Sequence, residues 1–339
     1  MCNDERKKLN GQFFTVTNPF ISNPFYAWLE SIPKEKKMEI IEPFAGSNNI
    51  VKMINDLRLF DIRWHCYDVM PPSYNAVPEV TVTKQDTIED FPVIKNVYLA
   101  ITNPPYLAKN SATRSGLPFK YKEYDDVYKK CLEVMLNNCE YVAAIIPESF
   151  ITANLFHSRL KTVISLTCKM FDDTDCPVCL ALFSPEHEID KDHGFDIYKQ
   201  GDITRIGTFK ELDSFCVKSD CNRKKWVFND KNGEIGLLCC DNTKNASIKF
   251  VRGELISPDC VKVSSRAKTR ISGLPKDIDL DLFIEKCNEI LVSYRSNTRD
   301  VFLTSFKGLR DDRMYRRRLD FDTAKNIMGS ALEEMIKKW

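Results

Sequence analysis

The four residues Asn103-Pro104-Pro105-Tyr106 are the part of the chain whose types and spacing best suit chemistry. They directly follow an apolar run at 97–101, and consecutive prolines end a strand because they cannot donate to its ladder. The Asn103 amide oxygen and the Pro104 carbonyl form a rigid pair of acceptors for a group with two N–H donors. The Tyr106 ring would stack on a planar base. The sequence therefore predicts a clamp for an amino group on a flat heterocycle, with an ordinary turn as the alternative.

Three acidic residues, Glu42, Asp68 and Asp86, each stand at the end of a predicted strand. After Glu42 a tight loop containing Gly46 leads into a helical pattern, which is the opening of a nucleotide-type βαβ unit. An acidic residue about 20 positions after such a glycine is placed to accept hydrogen bonds from ribose hydroxyls. The sequence lacks both G-x-G-x-x-G and a P-loop lysine, so it does not carry a phosphate fingerprint. Each carboxylate alone is compatible with a solvated strand end, but together they predict one site along one sheet edge.

Composition limits the class of protein. The chain has 339 residues, a formal net charge of +1 and 13 cysteines. It contains no apolar stretch near the roughly 20 residues needed to cross a membrane, and its charged N-terminus lacks the apolar core of a signal peptide. We expect a soluble, cytoplasmic protein with reduced thiols and no membrane partner. Zinc bound by Cys176 and Cys179 is the less favoured alternative, because matched ligand pairs are lacking, and no metal site is predicted.

The order of predicted elements indicates two domains. Strands alternate with helices up to residue 183, including a helix at about 153–163, which predicts an α/β fold with a mostly parallel, doubly wound sheet. The composition turns polar at 186–193, so we place a boundary there, giving domains 1–187 and 188–339. The second domain is predicted to be mixed α+β. Within the first, the loop 107–124 is polar and basic, with Lys109 and Arg114, and a long loop beside a presumed site is usually functional or mobile.

Arginines and aromatic residues alternate near the C-terminus. Arg310 and Arg316 belong to this stretch, which is typical of a surface that contacts phosphates and bases. The alternative is a solvated surface whose arginines pair with Asp311, Asp312 and Asp320. The sequence alone leaves both interpretations open.

Taken in order, these motifs resemble those of the N6-adenine DNA methyltransferases of restriction-modification systems, in that family's gamma arrangement. The resemblance covers residues 11 to about 183. It is carried by the following residues: Gly11-Gln12-Phe13-Phe14-Thr15, Glu42-Pro43-Phe44-Ala45-Gly46, Asp68, Asp86 and Asn103-Pro104-Pro105-Tyr106. It implies a Rossmann-like methyltransferase sheet that binds S-adenosyl-L-methionine in residues 1–187. It also implies a target-recognition domain for double-stranded DNA in residues 188–339, and a cognate restriction endonuclease as a functional partner.

The resemblance also implies a role for each matching residue. Phe13, Phe14 and Thr15 would contact the methionine end of the cofactor, while Glu42 and the backbone of Phe44, Ala45 and Gly46 would surround its amino acid and ribose. Asp68 would bind the ribose hydroxyls and Asp86 the adenine amino group. Asn103 and the Pro104 carbonyl, stiffened by Pro105, would hold the N6 of a flipped-out target adenine. Tyr106 and Phe183 would cover the faces of that base, and the DNA contacts would be Lys109, Arg114, Arg310 and Arg316.

Two positions depart from the family pattern. Asn48 stands where a second loop glycine is usual, and Val16 stands where proline usually follows the motif threonine. Both bear on how closely the loop approaches the cofactor. Alternative functions are methylation of an RNA base or of a protein glutamine by the same clamp, or a non-catalytic nucleic-acid-binding subunit with a decayed cofactor loop.

Overall fold

A computed structural model of the chain describes residues 15–33, 37–167, 170–171, 176–199, 204–220, 226–262, 267–312 and 314–336. The predicted cofactor contacts Phe13 and Phe14 lie outside these residues. The chain divides into two compact units, Met1–Thr208 and Phe209–Trp339.

Within the described residues, the first unit is built on a sheet of nine strands in the order β3-β2-β1-β4-β5-β7-β6-β8-β9. The strands are β1 (Met38–Glu42), β2 (Ile62–Asp68), β3 (Val82–Lys84), β4 (Leu99–Thr102), β5 (Tyr141–Pro147), β6 (Leu160–Leu166), β7 (Val178–Phe183), β8 (Asp196–Lys199) and β9 (Thr204–Thr208). Strands β1 to β5 pair in parallel, β7 runs antiparallel to both β5 and β6, and β9 is antiparallel to β8. The predicted α/β class with a mostly parallel sheet is confirmed.

The central strands form because apolar residues dominate their sequences. All residues of β4 and β7 are buried, as is typical of parallel-type sheets covered on both faces. Between β1 and β4 the strand order reverses, because β2 and β3 lie on one side of β1 and β4 and β5 on the other. In doubly wound sheets, ligands bind outside the carboxyl ends of the strands at such a reversal. A ligand site is therefore expected at the ends of β1 and β4.

Two helices of the first unit begin at side-chain caps. The helices are α1 (Asn23–Ser31), α2 (Asn49–Asn55), α3 (Lys109–Arg114) and α4 (Val127–Asn138), with a 3-10 helix at Glu148–Thr152. The Ser22 side chain accepts a hydrogen bond at the start of α1, and the Asp126 side chain does so at the start of α4. The residues that α4 buries are spaced three and four apart, which gives it one apolar face: Tyr128, Cys131, Leu132, Met135 and Leu136.

The sequence placed the domain boundary between residues 187 and 188, whereas the first compact unit extends to Thr208. Strand β8 pairs in parallel with β6, with Thr162 opposite Asp196, and β9 pairs with β8. Both strands therefore belong to the large sheet. The polar stretch at 186–193 forms a short 3-10 helix (Glu186–Glu188) and a connection to β8.

In its described part, the second unit combines helices with small antiparallel sheets, as predicted for a mixed α+β domain. Its elements are α5 (Phe209–Asp213), β10 (Val227–Phe228), β11 (Ile235–Leu238), β12 (Lys249–Arg252), β13 (Lys268–Ser272), α6 (Leu280–Thr298), β14 (Thr304–Leu309), β15 (Tyr315–Arg318) and α7 (Phe321–Ile336). Strands β10 to β13 form one sheet and β14 pairs with β15 as a hairpin. The core contains the buried face of α6, including Phe283, Cys287 and Leu291, and residues of α7.

Candidate active site

A cleft, partly open to solvent, lies in the first unit at the ends of β1, β2, β3 and β4. It occupies the position that the reversal of strand order predicts. The residues that line it are Thr15, Phe44, Ala45, Gly46, Ser47, Asn49, Ile50, Asp68, Val69, Gln85, Asp86, Thr87, Ile88, Asn103 and Pro105. The structure thus brings together most of the residues that the sequence assigned to one site.

Asp68 holds the loop that contains Gly46, called the glycine loop below, at the edge of the cleft. Its Oδ2 accepts a hydrogen bond from the Gly46 backbone amide at 3.0 Å, and its Oδ1 accepts one from the Met70 amide at 2.7 Å. Burial raises the pKa of Asp68 above its usual value, and the two amide hydrogen bonds oppose that rise. Because a carboxylate oxygen accepts more than one hydrogen bond, Asp68 can also receive a hydroxyl group from the cleft.

Asn48 supplies a left-handed conformation that glycine adopts readily. Its backbone is left-handed, with φ 60° and ψ 27°, a region that Asn tolerates better than most residues. Its buried side chain points away from the cleft lining, and Nδ2 donates to Asn75 Oδ1 at 2.9 Å and to the Val80 carbonyl at 2.8 Å. Asn48 therefore forms the turn and also fixes the segment 75–80 against it.

Glu42 lies beneath the cleft and does not line it. The carboxyl is fully buried, and its Oε1 accepts hydrogen bonds from the Phe44 amide at 3.0 Å and from the Thr102 hydroxyl. Its Oε2 is buried without a hydrogen-bond partner among the described residues. Burial raises the pKa of Glu42 to about 8, so the carboxyl is neutral at pH 7. Glu42 joins the loop after β1 to β4 from below, in place of the predicted direct contact with a cofactor.

Asn103 stands at the carboxyl end of β4 and is half-buried, with its side chain on the cleft. Its Nδ2 donates to Thr15 Oγ1 at 3.3 Å, and its Oδ1 accepts a hydrogen bond from the Tyr106 hydroxyl. Thr15 is buried, and its carbonyl accepts a hydrogen bond from Asn49 Nδ2 at 3.2 Å. The amide predicted to grip a substrate amino group is thus held in a defined orientation beside the glycine loop.

Tyr106 is buried, with 7% of its surface exposed, and does not line the cleft. Its hydroxyl lies 2.5 Å from the Ile145 carbonyl and also contacts Asn103. Its ring meets Tyr128 and Phe171 edge-on, with centroids 6.2 and 6.1 Å away. Burial raises the pKa of Tyr106 well above its usual value, so the hydroxyl stays protonated. The ring face predicted to stack on a base is covered in this structure.

Three other predicted contacts with nucleic acid in the first unit lie away from the cleft lining. Phe183 is a fully buried core residue of β7, edge-on to Phe150 at 5.8 Å, because β7 is a central strand rather than a cleft edge. Lys109 and Arg114 are exposed on α3, where Arg114 Nε donates to the Asn110 carbonyl at 3.2 Å. Phe183 is therefore a core residue and does not line the cleft, in contrast to the prediction that it covers a base.

Sequence reasoning missed cleft residues that directly follow the predicted carboxylates. Val69 follows Asp68, while Thr87 and Ile88 follow Asp86, an exposed residue whose Oδ1 accepts a hydrogen bond from the Ile88 amide at 3.2 Å. Thr87 Oγ1 donates to the Pro43 carbonyl at 2.8 Å and so ties this turn to the loop after β1. Their position one or two residues past each predicted carboxylate is the signal that could have identified them.

In the second unit, the structure separates the two arginines that the sequence grouped as DNA contacts. Arg310 is buried, and it pairs with Asp241 at 2.9 Å and with Asp312 at 2.8 Å. Arg316 is half-buried in β15, where its guanidinium lies 5.0 Å from the Phe306 ring centroid and its Nε donates to the Asp241 carbonyl at 2.8 Å. Arg310 is therefore a structural residue rather than an exposed contact.

Asp241, which the sequence did not single out, organises this region. It is fully buried, and its two carboxylate oxygens accept hydrogen bonds from Arg295 NH1 and NH2, both at 2.9 Å. Burial alone would raise the pKa of Asp241. The hydrogen bonds from Arg295 and from the Ser247 and Ile248 amides, together with the Arg295 charge, outweigh burial and lower that pKa to about 2. An ionised carboxylate therefore stabilises the base of the hairpin.

Metal-site and membrane features are absent from the described parts of the chain. No group of three or more His, Cys, Asp or Glu side chains there is arranged to hold a metal ion. None of the helices in those parts is long and apolar enough to cross a bilayer.

Known proteins resemble the chain at the level of structure. No protein-family model and no curated protein matches it. A candidate class I S-adenosylmethionine-dependent methyltransferase from Listeria monocytogenes aligns over 57% of this chain and 68% of its own, at 18% identity and a TM-score of 0.43. The methyltransferase subunit of a type I restriction-modification system from Streptococcus thermophilus aligns over 60% and 53%, at 14% identity and a TM-score of 0.39.

A third match is the M protein of the type I restriction enzyme EcoKI, over 91% of this chain and 68% of that protein, at 13% identity and a TM-score of 0.34. The chain thus spans about half the length of the Streptococcus subunit. At these identities and TM-scores, the likeness does not by itself assign a ligand or a substrate. An assignment must come from the geometry of the cleft.

Proposed function

We propose that the chain is an S-adenosylmethionine-dependent methyltransferase that acts on the N6 amino group of adenine in double-stranded DNA, within a restriction-modification system. One observation carries the proposal: Asn103 and Pro105 line the same cleft as the glycine loop, Asp68 and Asp86. An amino-group clamp therefore adjoins a cleft whose carboxylates suit a nucleoside.

The cleft residues fit the proposed cofactor in their chemistry. Asp68 offers acceptors for ribose hydroxyls, and Asp86 offers one for an adenine amino group. The backbone from Phe44 to Gly46 would face the amino-acid end. When bound, S-adenosylmethionine supplies an electrophilic methyl group.

The clamp would activate a poor nucleophile. An adenine within a duplex must first be rotated out, at a cost of a few kcal/mol. Its N6 lone pair is delocalised into the ring, and acceptors on both N–H groups favour a pyramidal nitrogen with a localised lone pair. Asn103 Oδ1 and the Pro104 carbonyl would supply those acceptors, orienting the nitrogen and stabilising the positive charge that develops on it. Asn103 Oδ1 can take this second hydrogen bond while it contacts Tyr106, because an amide oxygen has two lone pairs.

The hairpin of β14 and β15 is the favoured DNA contact in the second unit. Along β15 the buried residues Tyr315 and Arg317 alternate with the half-buried Arg316 and Arg318, so two arginines share the more exposed face. Phe306 pairs opposite Arg316 and is 39% exposed. A two-stranded ribbon that presents cations and an aromatic ring suits a nucleic-acid groove and its phosphates. Arg316 stays a proposed DNA contact, whereas Arg310 does not.

Methyl-transfer assays with purified protein test the proposal. The protein is incubated with methyl-labelled S-adenosylmethionine and double-stranded DNA, and the DNA is hydrolysed to nucleosides. We expect label in N6-methyladenine. Asn103→Ala should lower turnover by at least about 100-fold, while calorimetry shows S-adenosylmethionine binding within about threefold of wild type. Label in RNA or protein glutamine instead, or no cofactor binding at all, would exclude the proposed function.

A further inference from the structure

The two ends of the Asn103 amide are each held by a hydroxyl-bearing side chain from a different part of the first unit. Nδ2 donates to Thr15 Oγ1 at 3.3 Å, and Oδ1 contacts the Tyr106 hydroxyl. Without these contacts, rotation about the terminal torsion of an asparagine is loosely restricted. The observed contacts therefore restrict rotation of the Asn103 amide about this torsion.

Thr15 connects this amide to the glycine-loop side of the cleft. Its carbonyl accepts a hydrogen bond from the side chain of Asn49, the first residue of α2, at 3.2 Å. Its backbone also forms a β-bridge with Phe171. Thr15 is 3% exposed, so its hydroxyl works in a buried setting where hydrogen-bond geometry is well defined.

Tyr106 anchors the opposite end to the sheet. Its hydroxyl lies 2.5 Å from the carbonyl of Ile145, a fully buried residue of β5. The ring is fixed edge-on against Phe171, the same residue that bridges to Thr15. Thr15 and Tyr106, the two residues that contact the amide, therefore both contact Phe171.

We propose that Thr15 and the Tyr106 hydroxyl are positioning residues that set the orientation of the Asn103 amide and couple it to the cofactor loop through Asn49. This inference rests on the proposed function, because it assigns Tyr106 a role other than base stacking and Thr15 a role other than cofactor contact. The amide would then be pre-organised before any base arrives, which lowers the entropic cost of the aligned complex.

Single-atom variants test the positioning role. Thr15→Val and Tyr106→Phe keep the shape of each side chain and remove its hydroxyl, while Thr15→Ser keeps the hydroxyl. We expect each of the first two to lower kcat about 10-fold to 100-fold, with the dissociation constant of S-adenosylmethionine within about threefold of wild type. Thr15→Ser should stay within about threefold in kcat. The control is Tyr98→Phe, which removes a hydroxyl that donates to the Pro33 carbonyl at 3.0 Å and should leave kcat unchanged.

A second measurement makes the result independent of methyl transfer. In protein labelled with ¹⁵N-asparagine, the Asn103 side-chain amide signal is identified by its loss in Asn103→Ala. We expect this signal to be slow in hydrogen exchange in the wild type, and to exchange at least about 10-fold faster in Thr15→Val and Tyr106→Phe. Introduced into Asn103→Ala, neither substitution should lower kcat further, because both act through the same amide.

The outcomes separate this inference from the proposed function. If the wild type methylates DNA but both variants keep kcat and amide exchange within about twofold of wild type, the positioning role is wrong and the function stands. If the wild type methylates no DNA, the proposed function fails, and amide exchange alone decides whether Thr15 and Tyr106 orient Asn103. If the Asn103 amide exchanges faster than in the wild type in Tyr98→Phe as well, the effect is not specific to Tyr106. That result would also overturn the inference.

Discussion

At the scale of single residues, the first unit contains a neutral carboxyl group, that of Glu42, where the sequence indicates a charged one. Glu42 occupies the acidic position of the motif, yet it is fully buried and accepts hydrogen bonds from both the loop and β4. A buried, neutral carboxyl holds these two elements together without placing a charge under the cleft. Its role is therefore to position the loop.

The pH dependence of unfolding tests the protonation state of Glu42. Its pKa is about 8 in the folded protein, against 4.5 for the same carboxyl exposed to solvent in the unfolded chain. The unfolded chain thus releases this proton first, so the stability that neutral Glu42 contributes is complete below pH 4.5 and is lost as pH rises towards 8. Glu42→Gln mimics the neutral form. As pH rises across that range, the free energy of unfolding of Glu42→Gln minus that of the wild type should increase by about 1.4 kcal/mol per pH unit.

Urea unfolding of both proteins between pH 5 and pH 8 gives this difference directly. Effects of other titrating groups cancel when the two curves are subtracted, since these groups are common to both proteins. Parallel stability curves would contradict a raised pKa for Glu42.

At the scale of elements, the loop after β1 depends on a residue that is not glycine. Asn48 combines a left-handed backbone with two side-chain hydrogen bonds to the segment 75–80. A glycine would supply the conformation but not the bonds. Compared with a glycine at this position, Asn48 therefore gives up backbone freedom and fixes the neighbouring segment 75–80.

Substitutions at Asn48 separate these two contributions. Asn48→Gly keeps the left-handed backbone and loses the hydrogen bonds, so we expect the free energy of unfolding to fall by about 1–2 kcal/mol. Asn48→Ala loses the bonds and also strains the backbone, which should cost about 1 kcal/mol more. Chemical denaturation checks the order. Equal stability of the alanine and glycine variants would show that the backbone conformation is not what Asn48 provides.

Strands dominated by apolar residues were predictable from the sequence, whereas one short segment of mixed polarity was not. The strands β5 and β7 carry almost only apolar residues, as expected where both sheet faces are covered. A helix predicted around 153–163 is wrong: Asn154 and Phe156 have left-handed φ values of 53° and 56°, and β6 begins at Leu160. A short segment with mixed polarity fits both helical and extended patterns, so periodicity could not decide.

The pairing of Asp241 with Arg310 was equally out of reach, because 69 positions separate the two residues. Local sequence around either one resembles a solvated charged surface. Only the fold, which brings the hairpin to Asp241, converts these charges into a buried cluster. The candidate clamp, in contrast, lies within four consecutive residues and could be identified directly.

At the scale of the whole molecule, each unit has its own stabilising centre. In the second unit that centre is Asp241, which holds Arg295 and Arg310. Asp241→Asn should lower the stability of this unit by about 2–4 kcal/mol, because buried guanidinium groups lose a counter-charge. The matched control is Asp312→Asn, where the carboxylate that pairs with Arg310 is 51% exposed and should contribute under about 1 kcal/mol.

Two-step thermal unfolding monitored by calorimetry would show whether the loss falls on the second unit alone. The pH dependence has the opposite sign to that of Glu42. The pKa of Asp241 is lowered to about 2, so its contribution is present above the ordinary carboxyl pKa of 3.8 and is lost as pH falls towards 2. Equal stability of Asp241→Asn and Asp312→Asn at pH 7 would rule out this role.

Binding of DNA by the whole chain tests the hairpin face. Arg316→Ala should weaken binding similarly for all sequences if Arg316 contacts a phosphate, and should reduce the slope of log affinity against log salt by about 1. The control is Lys325→Ala, which removes a cation already paired with Asp322 at 2.8 Å. Fluorescence anisotropy with labelled duplexes at several salt concentrations gives both slopes. An unchanged slope for Arg316→Ala would remove the hairpin from the proposed interface.

The loop after the tetrapeptide is fastened at its base. Ala108 and Asp126 form a β-bridge, and the Asp126 carboxylate accepts a hydrogen bond from the Leu107 amide at 2.9 Å across 19 positions. The segment between these attachment points, which carries α3, can therefore vary in length and charge while the attachment points stay fixed. Replacing the segment between those points should therefore change the exposed surface that α3 presents while the residues on both sides of the segment keep their positions.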